Sequence, residues 1–158
     1  MGGLINEILA RLKLILELQT VTVWNNQFNY LENGGDYSFG FPCAFVEVDT
    51  IALNQISYGV QGSDLPITIH IGQVDYNGNN ISENLTIFTL RDLIVKSFAK
   101  FKPTTGSVMV KISEEQDFEH SNFYHYKITF NTHFIDLTTK ETEYYTTSNP
   151  TTLNTTLP

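Results

Sequence analysis

The chain has 158 residues, a length that suits one domain with a sizeable hydrophobic core. Its 17 acidic side chains outnumber its 9 lysines and arginines, and a net charge of −8 excludes electrostatic wrapping of nucleic acid, which requires a basic surface. Charged residues make up only 16% of the chain and aromatic residues 13%, a composition that favours a surface packed against other protein. Cys43 is the only cysteine, so no internal disulfide can form, and its apolar neighbours indicate a buried thiol.

The first half of the chain predicts one helix and two strands. Residues 4–18 predict the helix, because apolar side chains recur at spacings of three and four. Thr20–Trp24 alternate β-branched residues and predict a short strand. Residues 25–40 are rich in asparagine, glycine and aromatic residues, and the glycine pair within them predicts a turn between two extended arms. Residues 41–48 predict a longer strand, in which alternation separates Ala44, Val46 and Val48 from Cys43, Phe45 and Glu47.

The central segment predicts an arm, a strand and an amphipathic helix. Residues 49–64 predict a long, partly ordered arm, and residues 65–74 predict a strand with Ile67, Ile69 and Ile71 on one face. Residues 84–101 predict the helix around which the fold is organised. Its apolar stripe needs a sheet or another helix to cover it, and consists of Ile87, Leu90, Ile94, Phe98 and Phe101.

The last part of the chain predicts two strands and a tail. The strands are expected at 108–113 and 123–136, with an acidic turn at 114–122 between them. From residue 137 the composition becomes threonine-rich with little to bury, which predicts an extended or flexible tail at 137–158. The elements together predict a single α+β domain over residues 1–136. We expect a mostly antiparallel sheet of about four or five strands with two helices packed on one face.

No set of residues in the sequence predicts catalytic or metal chemistry. His120, His125 and His133 lie near Asp117 and Glu119, but the chain has no His-x-x-x-His helix and no paired cysteines. The cluster of acids at 114–119 is typical of a solvated or calcium-tolerant turn, and Glu47 fits a strand carboxylate at a subunit contact better than a catalytic base. No nucleophile elbow, phosphate-binding loop, export signal or membrane span is present. The sequence therefore predicts no enzyme, metal, cofactor or membrane contact.

The order of the elements is the most specific feature of the sequence. The first helix leads to TVTVW, a glycine loop and a strand of the form Pro-x-Ala-apolar-apolar-Glu, PCAFVE at 42–47. A long arm, the strand ITIHI at 67–71, one helix and two strands ending in FNTHFID at 130–136 complete it. This arrangement, over roughly residues 4–136, resembles the tail terminator or tail completion proteins of tailed bacteriophages and similar head–tail connector ring subunits.

The resemblance implies a structural α+β subunit without enzymatic activity. Its copies would form a closed head-to-tail ring of about six or twelve subunits that caps the tail and joins neighbouring portal, connector and tail proteins. DNA would pass through the ring without sequence-specific binding, and the protein, made in the host bacterial cytoplasm, would reside in the virion. The arm, the loop at 25–40 and the tail would contact neighbours, and the candidate interface residues are Phe28, Tyr30, Tyr37, Glu47, Ile56, Tyr58, Tyr144 and Tyr145.

Two other interpretations remain open from the sequence. The first is a small cytoplasmic α+β module that binds a ligand or a protein, with the ligand held between helix 84–101 and the sheet. The second is an enzyme that combines the acids at 114–119 with Glu47. Such an enzyme would have a concave site and carboxylates with shifted pKa values.

Overall fold

A computed structural model of the chain describes residues 1–35, 39–49, 52–74, 85–120 and 123–137. These ranges confirm the predicted α+β class, and none of their helices is long and apolar enough to cross a membrane. The predicted tail beyond residue 137 lies outside them. The helices are α1 (Gly2–Leu12), α2 (Gln27–Glu32) and α3 (Thr86–Phe98). The strands are β1 (Thr20–Val23), β2 (Cys43–Val48), β3 (Asn54–Ser57), β4 (Val60–Gln73), β5 (Val110–Asp117) and β6 (Tyr124–Asp136).

The sheet is built around two long antiparallel strands. β4 and β6 pair from Gln61↔Asp136 to Gln73↔Tyr124. The strand order is β1-β2-β4-β6-β5, and β3 pairs with the same edge of β4 as β2 does, nearer the start of β4. Among the described strands, only β1 and β2 run parallel, and α2 lies in the connection between them. The sheet is therefore mostly antiparallel, as predicted, and the described residues contribute six strands instead of four or five.

Helices α1 and α3 cover one face of this sheet and enclose the main core. The apolar stripe predicted for α3 is buried in that core, with Phe101 packed at its margin. The isoleucines of β4 and the predicted inner face of β2 meet it from the sheet side. Arg11 of α1 donates a hydrogen bond to the Ser97 carbonyl of α3 and lies 4.6 Å from the centre of the Phe101 ring. The two helices are therefore joined to each other as well as to the sheet.

The first helix is shorter than predicted. It ends at Leu12, and the chain continues in tight turns in which the Ile15 N–H bonds to the Leu12 carbonyl. Ile15 still reaches the core, whereas Leu16 is 92% exposed. The chain must leave the helix because Thr20 pairs with Cys43 at the edge of the sheet. Strand pairing thus overrides a helical pattern that is favourable locally.

The first of the two extended arms predicted in residues 25–40 is wrong, because α2 occupies its place. The second arm falls partly on residues 36–38, which lie outside the described residues. The start of α2 is fixed by Gln27, whose side-chain oxygen accepts the Asn25 N–H and whose amide donates to the Val23 carbonyl. Asn26 adopts a left-handed φ of 59°, a conformation that asparagine tolerates better than most residues. Phe28 then points into the protein and is completely buried. Burial of Phe28 and the hydrogen bonds of the Gln27 side chain are therefore enough to fix this short helix.

Two segments that the sequence predicts as an arm and a turn contain strand residues instead. The arm at 49–64 contains the β3–β4 hairpin, which turns at Tyr58 and at Gly59, whose φ is 66°. Strand β5 continues to Asp117, so the acids at 114–117 belong to a strand and not to the predicted turn. β5 pairs with β6 as far as Asp117↔His125, and this ladder orders the acidic residues.

A second, smaller core lies on the opposite face of the sheet. It consists of Phe28 of α2, Cys43 and Phe45 of β2, and Phe123 before β6, with Trp24 and other aromatic residues packed around it. Gly72 of β4 lies beneath this cluster. A Cβ added there would come within 2.6 Å of the Phe28 ring and 2.8 Å of the Cys43 sulfur. Phe28 can therefore pack against the sheet because position 72 has no side chain.

Replacing Gly72 with alanine should destabilise the protein by about 1–3 kcal/mol, because Phe28 and Cys43 must move to admit the new methyl group. Urea unfolding measures this change. Gly3→Ala is the matched control, since nothing lies within 4 Å of a Cβ at that helical position. The control should be neutral or slightly stabilising. Equal effects of the two substitutions would contradict this account of the second core.

Candidate functional site

The second face of the sheet carries a group of titratable side chains beside the small aromatic core. Alternation along β2, β4 and β6 directs Glu47, His70 and His125 to this face, opposite the residues of the main core. Two further acids and one histidine join them from the end of β5, from the segment after it and from α2. We call this group the histidine cluster, and its members are Glu32, Glu47, His70, Asp117, His120 and His125.

The centre of the cluster is a row of side chains that runs from one carboxylate to another. His70 Nε2 lies 2.8 Å from Glu47 Oε2, and His70 Nδ1 lies 2.9 Å from His125 Nε2. On the far side, His125 Nδ1 lies 3.3 Å from Asp117 Oδ2. The first two contacts have the geometry of hydrogen bonds. The third does not, because the His125 Nδ1 atom is buried without a hydrogen-bond partner among the described residues.

His120 lies next to this row and repeats the pattern. Its side chain is 3% exposed, and its Nδ1 atom lies 3.0 Å from Glu32 Oε2. That distance alone would allow a hydrogen bond, but the orientation does not, and within the described ranges His120 Nδ1 has no partner. One ligand atom from each of Asp117, His120 and His125 can be chosen so that all three lie within 4.8 Å of one another.

Aromatic rings cover the histidines. The Trp24 ring stacks on His70 with a centroid distance of 4.0 Å and an interplanar angle of 2°. The edge of Phe28 meets His125 at 4.7 Å, and Phe123 stacks on His120 at the same distance. These rings keep water away from the imidazoles and so strengthen every electrostatic interaction among them.

Burial controls the charge of the central histidines. It lowers the pKa of His70 to about 4, with a smaller contribution from the Lys127 ammonium that outweighs the opposing effect of Asp117. Burial likewise lowers the pKa of His125 to about 3, helped by the neighbouring His70 and opposed by Asp117. Both rings are therefore neutral at pH 7, the form in which imidazole binds metal ions.

Asp117 remains an anion despite partial burial. Burial raises its pKa, but hydrogen bonds from the Glu119 N–H and from Lys127 lower it more, and the result is a lowered pKa. Lys127 Nζ lies 3.0 Å from Asp117 Oδ2 and 3.1 Å from Glu115 Oε1. The ammonium group therefore bridges two carboxylates at the edge of the cluster.

A groove of about 280 Å³ opens beside His70. The side chains that line it come from four strands: Glu47, Thr68, His70, Ser113, Glu114, Glu115, Lys127 and Thr129. The structure thus brings Glu47 close to the acids of β5, as the enzyme interpretation requires. Glu114, however, is held by Arg91 and Lys111, whose hydrogen bonds overcome the effect of burial and lower its pKa. A carboxylate with a lowered pKa is a poor general acid.

Cys43 offers no nucleophile. Burial raises the pKa of its thiol far above the usual value, and its sulfur lies 3.9 Å from the Gly72 carbonyl oxygen, to which the thiol donates. A thiol that stays protonated is unreactive. The sequence expectation of a buried cysteine is confirmed.

The predicted interface residues fall into four groups. Phe28 is buried within its own subunit, so its side chain cannot reach a neighbour in this conformation. Glu47 belongs to the histidine cluster and is partly exposed. Tyr30, Ile56 and Tyr58 are exposed, the last two on the β3–β4 hairpin. Tyr37, Tyr144 and Tyr145 lie outside the described residues.

Comparison with known protein families and with curated protein sequences finds no match to this chain.

Proposed function

We propose that this protein is a ring-forming structural subunit at the head–tail junction of a tailed bacteriophage, a tail terminator or connector-ring protein. The proposal originates in the order of elements along the sequence. Its support from the structure is an α+β fold with two helices on one face of a mostly antiparallel sheet, which is the fold that the resemblance implies. The virion location and the portal and tail partners are parts of the same proposal.

Two separate apolar patches carry the proposal. The hairpin patch consists of Ile56 and Tyr58, which are 55% and 82% exposed on the β3–β4 hairpin. The edge patch consists of Val108, just before β5, and of Val110 and Ile112 at its start, all exposed at the outer edge of the sheet. β4 and β6 separate the two patches. A head-to-tail ring requires two different and complementary surfaces on each subunit.

The mechanism follows from these two surfaces. The hairpin patch of one subunit packs on the edge patch of the next, and repetition of the contact closes the ring. Pairing along β5 also covers a strand edge that would otherwise be open to uncontrolled association. The net charge of −8 gives the ring an acidic character, and an acidic channel lets the DNA polyanion pass without being held.

The ligand-binding alternative places a molecule between α3 and the sheet. The side chains that would line that space are already buried against one another: Ile87, Leu90, Ile94 and Phe98. A ligand would have to displace this packing, at a cost of several kcal/mol. The geometry therefore favours a role in assembly over ligand binding at that position.

Tyr58→Ser should weaken ring assembly, because it removes the largest exposed side chain of the hairpin patch. We expect the protein concentration at half-assembly to rise at least about tenfold. Light scattering measures the native mass, and negative-stain images of the same sample show whether rings are closed.

Two variants make the experiment specific. Val110→Lys in the edge patch should weaken assembly as Tyr58→Ser does, because the two patches form one contact. Leu16→Ser is the matched control, since Leu16 is 92% exposed and belongs to neither patch. A wild-type protein that stays monomeric at all concentrations, or rings that tolerate both patch variants, would contradict the proposal.

A further inference from the structure

The histidine cluster contains one contact that is not a hydrogen bond. The row Glu47–His70–His125–Asp117 has three contacts, of 2.8, 2.9 and 3.3 Å. The first two have hydrogen-bond geometry, whereas the third leaves His125 Nδ1 buried without a hydrogen-bond partner among the described residues.

The geometry accounts for the third contact. His70 donates from Nε2 to the Glu47 carboxylate oxygen, so its Nδ1 accepts the Nε2–H of His125. His125 Nδ1 is then a bare lone pair that faces the Asp117 carboxylate. This contact is the longest of the three, at 3.3 Å, and lacks hydrogen-bond geometry.

His120 lies beside His125, with ring centroids 5.1 Å apart, and carries a second buried nitrogen without a partner among the described residues. Its Nδ1 faces Glu32 Oε2 at 3.0 Å without a hydrogen bond, and its side chain is almost completely buried. Buried polar atoms without partners are costly, so such a convergence requires an explanation. A metal ion would explain it, because one ligand atom from each of Asp117, His120 and His125 can be chosen so that all three lie within 4.8 Å of one another.

We propose that Asp117, His120 and His125 bind a divalent transition-metal ion, with zinc as the best fit. A set of two imidazole nitrogens and a carboxylate oxygen suits zinc, whereas calcium and magnesium prefer oxygen ligands alone. Bonds of about 2.1 Å place tetrahedral ligand atoms about 3.4 Å apart, so small side-chain movements close the 4.8 Å cluster around an ion.

The rest of the row supports the metal ligand. His70 Nδ1 accepts a hydrogen bond from His125 Nε2–H, and His70 Nε2–H donates one to Glu47. These bonds fix the tautomer that leaves His125 Nδ1 free for the ion. Carboxylate–histidine support of this kind is typical of metal centres. His70 and Glu47 are thus positioning residues, which do not touch the ion.

Lys127 does not prevent binding at Asp117. Its ammonium contacts Asp117 Oδ2, but it also contacts Glu115 at 3.1 Å. When the ion takes a lone pair of Asp117, Lys127 keeps Glu115 as its partner. The ion would tie β5, β6 and the segment between them together, and this role is independent of ring formation.

Titration of the chelator-treated, full-length protein with Zn²⁺ in a calorimeter tests the site. We expect one ion per chain, and a rise in the thermal unfolding temperature on binding. His120→Asn should weaken binding by more than about 100-fold, because it removes a ligand. His133→Asn is the matched control, because His133 lies far along β6 with Asp64 as its partner and should not change the affinity. Absence of one-to-one binding, or equal affinity of the two variants, would overturn the proposal.

Two further measurements keep the test decisive if His120→Asn fails to fold. Co²⁺ bound to the wild-type protein should give the strong visible absorption of a tetrahedral ion, whereas the weak bands of an octahedral ion would count against the site. His70→Gln should lower Zn²⁺ affinity by roughly 10- to 100-fold while retaining one-to-one binding, as expected for a positioning residue. Unchanged affinity in His70→Gln would show that the row does not support a metal ligand.

Discussion

Acidifying the metal-free protein from pH 7 to pH 4 should lower its free energy of unfolding by about 3 kcal/mol through His70 alone. Burial holds the pKa of His70 at about 4 in the folded protein, against 6.5 in the unfolded chain. The unfolded chain therefore binds more protons between these two values. The free energy of unfolding is therefore unaffected by His70 protonation above pH 6.5 and falls as the pH is lowered towards 4. His125, with a pKa of about 3, acts in the same direction.

Urea unfolding at several pH values, in the presence of a chelator, measures this loss. Trp24 is the only tryptophan and stacks on His70, so its fluorescence reports on the cluster directly. His70→Gln should show a smaller loss between pH 6.5 and 4, whereas His133→Gln should behave like the wild type, because its side chain is about half exposed. Carboxylates with lowered pKa values, such as Asp117, lose their contribution at lower pH. A stability that does not change between pH 7 and 4 would rule out neutral buried histidines.

The parts of the fold that the sequence predicts well are those governed by local periodicity. The stripe of α3 is buried as its spacing predicts, because one element with a single apolar face has only one way to bury it. The faces of β2 and β4 are also as predicted, since successive strand residues point to opposite sides.

The errors occur where tertiary contacts outweigh local pattern. The segment 13–18 continues the helical spacing of α1, but pairing of Thr20 with β2 draws the chain away. α2 has a weak helical pattern of its own and is held by Gln27 and by burial of Phe28. The acids at 114–117 suggest a turn because of their charge, yet the ladder to β6 and the ion pairs of Arg91 and Lys127 hold them in a strand.

The histidine cluster depends on strand order and register, which a single sequence does not specify. Alternation alone assigns Glu47, His70 and His125 to the same face of the sheet. Their contact depends on β2, β4 and β6 being neighbours and on the pairing of Gly72 with both Cys43 and His125. Strand order and register are long-range properties that periodicity does not encode. The proximity of Asp117, His120 and His125 along the chain is the available signal, but the same signal includes His133, which pairs with Asp64 instead.

The proposed metal site and the proposed ring surfaces lie at different ends of the sheet. The cluster sits beside the end of β4 and the start of β6, whereas the β3–β4 hairpin projects where β4 begins and β6 ends. The ion would therefore strengthen one end of the subunit without covering the hairpin patch. Loss of metal binding and loss of assembly are separable outcomes, so neither experiment depends on the other.

Replacing Phe98 with alanine should destabilise the protein by about 3–5 kcal/mol, because the ring is completely buried between α3 and the sheet. Phe98 contacts Phe130 of β6 with ring centroids 5.3 Å apart and Phe101 at 5.6 Å, so its removal leaves a cavity where helix and sheet meet. A loss of this size is a large fraction of the stability of a typical domain. It should lower the thermal midpoint by roughly 10 °C.

Phe88→Ala is the matched control for this substitution, because it removes the same side chain from the same helix. Phe88 is 44% exposed and touches Tyr126 only edge-on, at 6.0 Å, so its loss should cost no more than about 1 kcal/mol. Thermal and urea unfolding of both variants measure the difference. If the two substitutions lower the free energy of unfolding equally, the packing of α3 on the sheet is not the main source of stability in this fold. A much larger loss for Phe98→Ala identifies that packing as the main core, because exposure is the principal difference between the two sites.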